Sequence, residues 1–123
     1  MYDILILEDD FELAKSWEAA LKEEGGMVVI ARSSNEALRH LEERQFHTVI
    51  VDLMIEAPEG ESDSGVHFLR ELHNLEPPLP NLIGVSGYYG SDDGEMAKKL
   101  LRVYGVQHVL LKPFDPVDLI KLI

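Results

Sequence analysis

The sequence predicts an α/β protein built on one doubly wound sheet of five parallel strands, with helices on both faces. Two patterns predict it. Short apolar runs alternate with longer amphipathic stretches five times. Alternation of this kind builds parallel sheets through right-handed crossovers. The run Thr48 to Val51 is apolar or β-branched without a polar break, the pattern of a strand covered on both faces.

The elements follow in order. Asp3 to Leu7 is an apolar strand that runs into Glu8-Asp9-Asp10. Phe11 to Glu24 has helical periodicity, with Leu13, Trp17, Ala20 and Leu21 on one stripe. Asp10 stands where an N-cap belongs, and Gly25-Gly26 ends the helix. Met27 to Ala31 is the second strand, and Ser33-Ser-Asn35 opens a helix bearing Ala37, Leu38 and Leu41. The third strand ends at Asp52. Twelve residues separate Asp52 from Gly65, among them Glu56, Glu59, Glu61 and Asp63. The third helix carries Val66, Phe68, Leu69 and Leu72 and ends before Pro77-Pro78, where proline forbids its continuation. Asn81 to Ser86 is the fourth strand, Gly87 to Gly94 a loop, and Glu95 to Tyr104 the fourth helix, stopped by Gly105. Val106 to Leu111 is the fifth strand, followed by Lys112-Pro113. Asp115 opens a short last helix.

At 123 residues the chain is expected to form one domain, residues 1–123, with no output domain expected within it. It has no cysteine, which excludes a disulfide framework and thiolate metal sites. The formal net charge of −12 argues against direct nucleic-acid binding, which needs a basic face. Lys98, Lys99 and Arg102 form the one cationic cluster and read as a solvated helix face. The N-terminus lacks the basic region of a signal peptide, and no apolar run is long enough to span a membrane. A cytoplasmic location is expected.

Parallel strands all end at the same edge of a sheet, and that edge is where open α/β folds bind ligands. Glu8-Asp9, Asp52, Ser86 and Lys112 should therefore gather there. Three carboxylates at close range raise one another's pKa unless a cation intervenes. Hard oxygen ligands suit magnesium, which takes one or two carboxylates together with phosphate oxygens. Lys112 adds a compact positive charge able to approach Asp52 or a phosphate oxygen, and Ser86 adds a hydroxyl donor. A carboxylate nucleophile, a divalent ion, a lysine and a hydroxyl suit phosphoryl transfer.

The chain resembles a receiver domain of a two-component response regulator over essentially its whole length. The resemblance rests on Ile4-Leu-Ile-Leu-Glu-Asp-Asp10, Val49-Ile-Val-Asp-Leu-Met54, Gly84-Val-Ser-Gly87 and Leu110-Leu-Lys-Pro-Phe114. Each motif is weak alone; all four in order, each at a strand end, are specific. The resemblance implies a flavodoxin-like strand order 2-1-3-4-5. It implies that Asp52 accepts a phosphoryl group from the phosphohistidine of a histidine kinase or phosphotransfer protein. Glu8 and Asp9 would hold Mg2+, joined by Asp52 and the backbone carbonyl of Met54. Ser86 would hydrogen-bond the phosphoryl group and Lys112 would pair with it; the Lys112-Pro113 bond is of a kind often cis in the family, an isomer proline makes accessible. An effector domain or a second copy would dock through the fourth helix, fifth strand and fifth helix. The domain would catalyse only its own phosphorylation and dephosphorylation.

Two features depart from the family. Three residues before the lysine, where the family carries a tyrosine or phenylalanine that rotates on activation, this chain has Val109. The loop 55–64 is longer than usual and strongly acidic; it reads either as a solvated insertion or as a rim that slows small anionic donors. Other functions fit less well. A pseudo-receiver that only binds partners is compatible with Val109 but not with the intact acidic cluster and Lys112. A haloacid dehalogenase-type phosphatase places a second Asp two residues after its nucleophile, where this chain has Met54. A flavodoxin would not set Glu8-Asp9-Asp10 against a flavin phosphate. The five histidines show no metal spacing, Trp17 and Phe68 read as core, and Tyr88 and Tyr89 read as packing, exposed loop or partner contact.

Overall fold

The computed structural model describes residues 2–53, 65–75, 77–87, 99 and 102–123. Five strands run in the order β2-β1-β3-β4-β5, with β1 Asp3–Leu7, β2 Met27–Ala31, β3 Thr48–Asp52, β4 Asn81–Gly87 and β5 His108–Lys112. Every neighbouring pair is parallel. The expected strand order and layering are both present.

Successive residues of a strand face opposite sides of the sheet, so each strand feeds two cores. Leu5, Leu7, Val49, Val51 and Leu82 pack on one side with Phe68, Leu69 and Leu72 of helix α3, Gly65–Leu72. Ala37 of helix α2, Ser34–Glu43, joins them. Ile4, Ile6, Ile50, Ile83 and Val85 pack on the other side with Ala14, Trp17 and Leu21 of helix α1, Phe11–Glu23. Leu119 of the C-terminal helix, Pro116–Ile120, completes that layer. All five residues of β3 are buried, as its unbroken apolar run requires. No helix among the described residues is long and apolar enough to cross a membrane.

The helix starts follow local chemistry. Asp10 accepts from the N–H of Leu13 at 3.1 Å and caps α1. Ser33 accepts from Glu36 at 3.2 Å and caps α2. Asp115 accepts from Val117 at 3.0 Å and caps the C-terminal helix. Each cap satisfies an N–H that has no partner within the helix. Gly25, at φ +88°, turns the chain out of α1.

Four boundaries differ from the sequence reading. Helix α1 ends one residue early, at Glu23. Its buried stripe is Ala14, Trp17 and Leu21, with Leu13 and Ala20 at the margin. Strand β4 extends to Gly87, because Gly87 pairs with Lys112. Strand β5 runs from His108 to Lys112 and not from Val106 to Leu111. Just before it the Gln107 side chain stands in for ladder backbone: its Oε1 accepts from the N–H of Leu82 at 2.6 Å while its own N–H donates to the Leu82 carbonyl at 3.0 Å. Of the expected fourth helix, residues 99 and 102–104 are helical. The rest of it lies outside the described residues, as do the acidic loop 55–64, Met54, Tyr88 and Tyr89.

Gly65 opens α3 directly against the end of β3. A Cβ built on it would overlap the backbone carbonyl oxygen of Asp52 and crowd Leu53. Both obstacles are backbone and cannot swing aside. Gly65→Ala should therefore lose about 1–3 kcal/mol of stability, the usual cost of overpacking. Urea unfolding measures it, and a wild-type midpoint in the variant would contradict the close approach.

Candidate active site

Each residue of the site arrives at the end of a strand. Glu8 follows β1 directly, its N–H donating to the Ala31 carbonyl at the end of β2 at 3.1 Å. Asp52 is the last residue of β3, in register with Val85 of β4. Lys112 is the last residue of β5, in register with Gly87. The parallel registers bring these ends to one edge of the sheet.

The Lys112 ammonium holds the cluster together. Its Nζ donates to Oε1 and Oε2 of Glu8, each at 3.1 Å, and to Oδ2 of Asp52 at 3.1 Å. Glu8 is 1% exposed and Asp52 3%. Asp9 completes an acidic group: Glu8, Asp9 and Asp52 each offer an oxygen within 4.8 Å of the others. Among the described residues, no other group of three or more His, Cys, Asp and Glu side chains gathers so closely. The three consecutive acids thus divide their tasks, with Glu8 buried, Asp9 half-buried and Asp10 capping α1.

Charge and burial shift two of these groups. Burial, and next the neighbouring Asp52, push the Glu8 carboxyl up to about 8, and Lys112 only partly offsets this. Burial alone would lower Lys112, but the Asp52 and Glu8 carboxylates outweigh it and raise the ammonium above its usual 10.5. Lys112 is therefore a fixed cation in this site, while Glu8 holds a proton near neutral pH.

Ser86 sits half-buried near the end of β4, its hydroxyl donating to the Gly87 carbonyl at 3.3 Å. The Lys112-Pro113 peptide is cis. Val109 is half-buried against the core layer that contains α3. Two histidines make contacts away from the site: His73 Nε2 lies 2.7 Å from the Tyr104 carbonyl, and His47 Nδ1 2.7 Å from Thr48 Oγ1. A cavity of about 570 Å3 lined by Phe46, Leu72 and Leu75 lies at the opposite edge, where β3 and β4 begin, remote from this chemistry.

Three contacts here were not legible in the sequence. Lys112 binds Glu8 as well as Asp52. Gly65 presses on the Asp52 backbone. Trp17, read as core, also lies under the Lys112 ammonium. The motif Leu110-Leu-Lys-Pro-Phe114 marks Lys112, but nothing in the sequence links it to a tryptophan 95 positions earlier.

A parallel sheet of order 2-1-3-4-5 with an aspartate, an acidic pair and a lysine at its carboxyl edge defines a receiver-type fold and site. The family model described as "Response regulator receiver domain" matches residues 4–123, and the chain belongs to that family. It is 32% identical to the transcriptional regulatory protein ZraR of Escherichia coli O157:H7 over 92% of this chain, which spans 23% of that protein's length. It is 31% identical, over 98% of this chain and 86% of the relative, to an uncharacterized 14.6 kDa protein of Leptolyngbya boryana. Among solved structures it is similar to a CheY-like response regulator receiver domain protein from Methanospirillum hungatei JF-1, with a TM-score of 0.80 and 27% identity. That match covers 99% of this chain and 90% of the other. The receiver domain of NtrX from Brucella abortus matches with a TM-score of 0.82 and 25% identity, over 98% of this chain and 93% of the other.

The Glu8 shift has a definite sign in stability. The folded chain keeps a proton on Glu8 up to about pH 8, whereas the unfolded carboxyl releases it near 4.5. Stability rises with pH only where the unfolded state binds more protons; here the folded state binds more. Without divalent ions, the contribution of Glu8 is fully present below about 4.5 and is lost as pH rises toward 8. Glu8→Gln should flatten that slope. Urea unfolding across this range in chelator tests it, and an identical slope in the variant would contradict the assignment.

Proposed function

We propose that this domain is a phosphoacceptor switch in which Asp52 takes the phosphoryl group of a histidine kinase or phosphotransfer protein in a magnesium-dependent reaction. The observation that carries this reading is the convergence of Asp52, Glu8, Asp9 and Lys112 on one buried sheet edge. A carboxylate oxygen of Asp52 attacks phosphorus, the bond from phosphorus to the donor imidazole breaks, and the imidazole leaves with the bonding pair. Lys112 redirects one of its N–H donors from a carboxylate to a phosphoryl oxygen, and the Ser86 hydroxyl turns from Gly87 to donate to another.

The residues present fit a magnesium ion. Three carboxylates can each turn a hard oxygen to a common point, and burial leaves their charge poorly solvated. Glu8, Asp9 and Asp52 would hold the ion, with the Met54 carbonyl as the further ligand the family resemblance implies. The ion would supply positive charge against the phosphoryl oxygens.

The output surface is proposed on the face formed by the helix ending at Tyr104, β5 and the C-terminal helix. Val103, Leu111 and Val117 are all exposed there, which supports docking of an effector domain or a second copy. Val109 favours a second reading, a pseudo-receiver that binds partners without phosphorylation, since it has no ring to rotate. The buried acidic cluster supports the first.

With acetyl phosphate and magnesium, the domain should gain one labile phosphoryl group. Asp52→Asn should gain none, because an amide is not the nucleophile. Mass spectrometry decides it: a full-yield adduct in Asp52→Asn, or none in the wild type, would sink the proposal.

The metal set is tested separately by calorimetry. Asp9→Ala should weaken magnesium binding by about tenfold or more, since even outer-shell partners of a metal typically cost that much. Lys112→Ala should retain magnesium binding while impairing phosphorylation. Unchanged binding in Asp9→Ala would rule out the ligand set.

A further inference from the structure

The ammonium of Lys112 has a third neighbour besides its two carboxylates. Its Nζ stands over the ring of Trp17, 5.9 Å from the centroid, within the range of a cation–π contact. Trp17 is 1% exposed. Its ring stacks on Phe114, with centroids 5.3 Å apart and planes 25° from parallel. Phe114 lies two residues beyond Lys112, so the indole touches both the charge and the turn that carries it. Trp17 sits on α1, the helix that begins three residues after Glu8. The helix that follows the acidic pair thus also supplies the face behind the lysine.

This contact differs in kind from the other two. In the proposed reaction Asp52 is phosphorylated, and a divalent ion held by Glu8, Asp9 and Asp52 would compete for the oxygens that Lys112 now uses. Both carboxylate contacts must therefore change during turnover. The indole face carries no ionisable group and coordinates no metal, so its hold on the ammonium need not change. A cation that must leave one carboxylate for a phosphoryl oxygen without drifting into solvent needs such a fixed support.

We propose that Trp17 is a positioning residue of the phosphoacceptor site: its ring, braced by Phe114, keeps the Lys112 ammonium in place while the carboxylate contacts exchange. The proposal rests on the phosphoacceptor reading of Asp52 and adds to it a residue outside the acid–lysine set.

Trp17 is the single tryptophan, so its emission reports this ring alone. Lys112→Met keeps an unbranched side chain and removes the ammonium, and should shift the emission maximum in the absence of any ligand. Trp17→Leu should slow phosphorylation by acetyl phosphate at saturating magnesium by roughly three- to tenfold, the rate equivalent of a partly desolvated cation–π contact. Its half-saturating magnesium concentration should stay within about twofold, because the metal ligands are untouched. Trp17→Phe retains a ring to face the ammonium and stack on Phe114, and should recover most of the rate. Three results overturn the proposal: emission indifferent to Lys112→Met, a wild-type rate in Trp17→Leu, or a Phe variant as slow as the Leu variant. The last would leave Trp17 a packing residue only. The emission comparison needs no change at Trp17 and stands whether or not the Leu variant folds. A wild-type chain that takes no phosphoryl group would overturn the phosphoacceptor reading itself, and emission alone would then decide whether Trp17 holds Lys112.

Discussion

Glu8 and Asp52 are buried carboxylates whose oxygens lie 3.1 Å from one ammonium, that of Lys112. Removing either acid from water costs several kcal/mol, and the cost is offset only where an opposite charge is held in good geometry. Much of the architecture follows from supplying that geometry. Strand β4 lies between β3 and β5, so Lys112 reaches Asp52 across the end of an intervening strand. That strand ends in Ser86 and Gly87, which are small, and Gly87 is the register partner of Lys112. A flexible four-carbon stem with a compact charge spans this gap.

The same constraint sets the charge state of the site. Burial first, and then the neighbouring Asp52 charge that one ammonium only partly offsets, raises Glu8 to about 8. A divalent cation bound as proposed would offset the same excess of negative charge, adding charge where Glu8 otherwise keeps a proton. Asp9 stands at the same edge, half-buried and nearer to solvent than its neighbours. The two core layers hold the walls of the site in place: α1 and the C-terminal helix on one face, α2 and α3 on the other.

Val109 bears on how such a change could leave the pocket. It lies three residues before Lys112 on β5 and packs against the layer that contains α3. In this chain that position joins strand to core and provides no aromatic ring to move. The exposed apolar residues of the same region, Val103 and Leu111, are near neighbours of the site along the chain. Were Asp52 phosphorylated as proposed, a rearrangement of β5 would reach that surface through backbone and aliphatic packing.

The amino-acid sequence by itself determined the strand runs, the helix cap at Asp10, the helix starts near Ser33 and Asp115, and the candidate residues Glu8, Asp9, Asp52, Ser86 and Lys112. These are legible because their causes are local: an unbroken apolar run, a side chain that accepts a first-turn N–H, a polar residue at a strand end. Val106 was misread as strand because the substitution of the Gln107 amide for ladder backbone depends on Leu82, 25 positions away. Tertiary structure alone decided that Lys112 grips Glu8, that Gly65 must lack a side chain beside Asp52, and that Trp17 lies beneath the ammonium. Glu8 and Lys112 are 104 positions apart. Contacts at such separations depend on strand register and on which helix covers which face, and these emerge only when the whole sheet closes around its two cores.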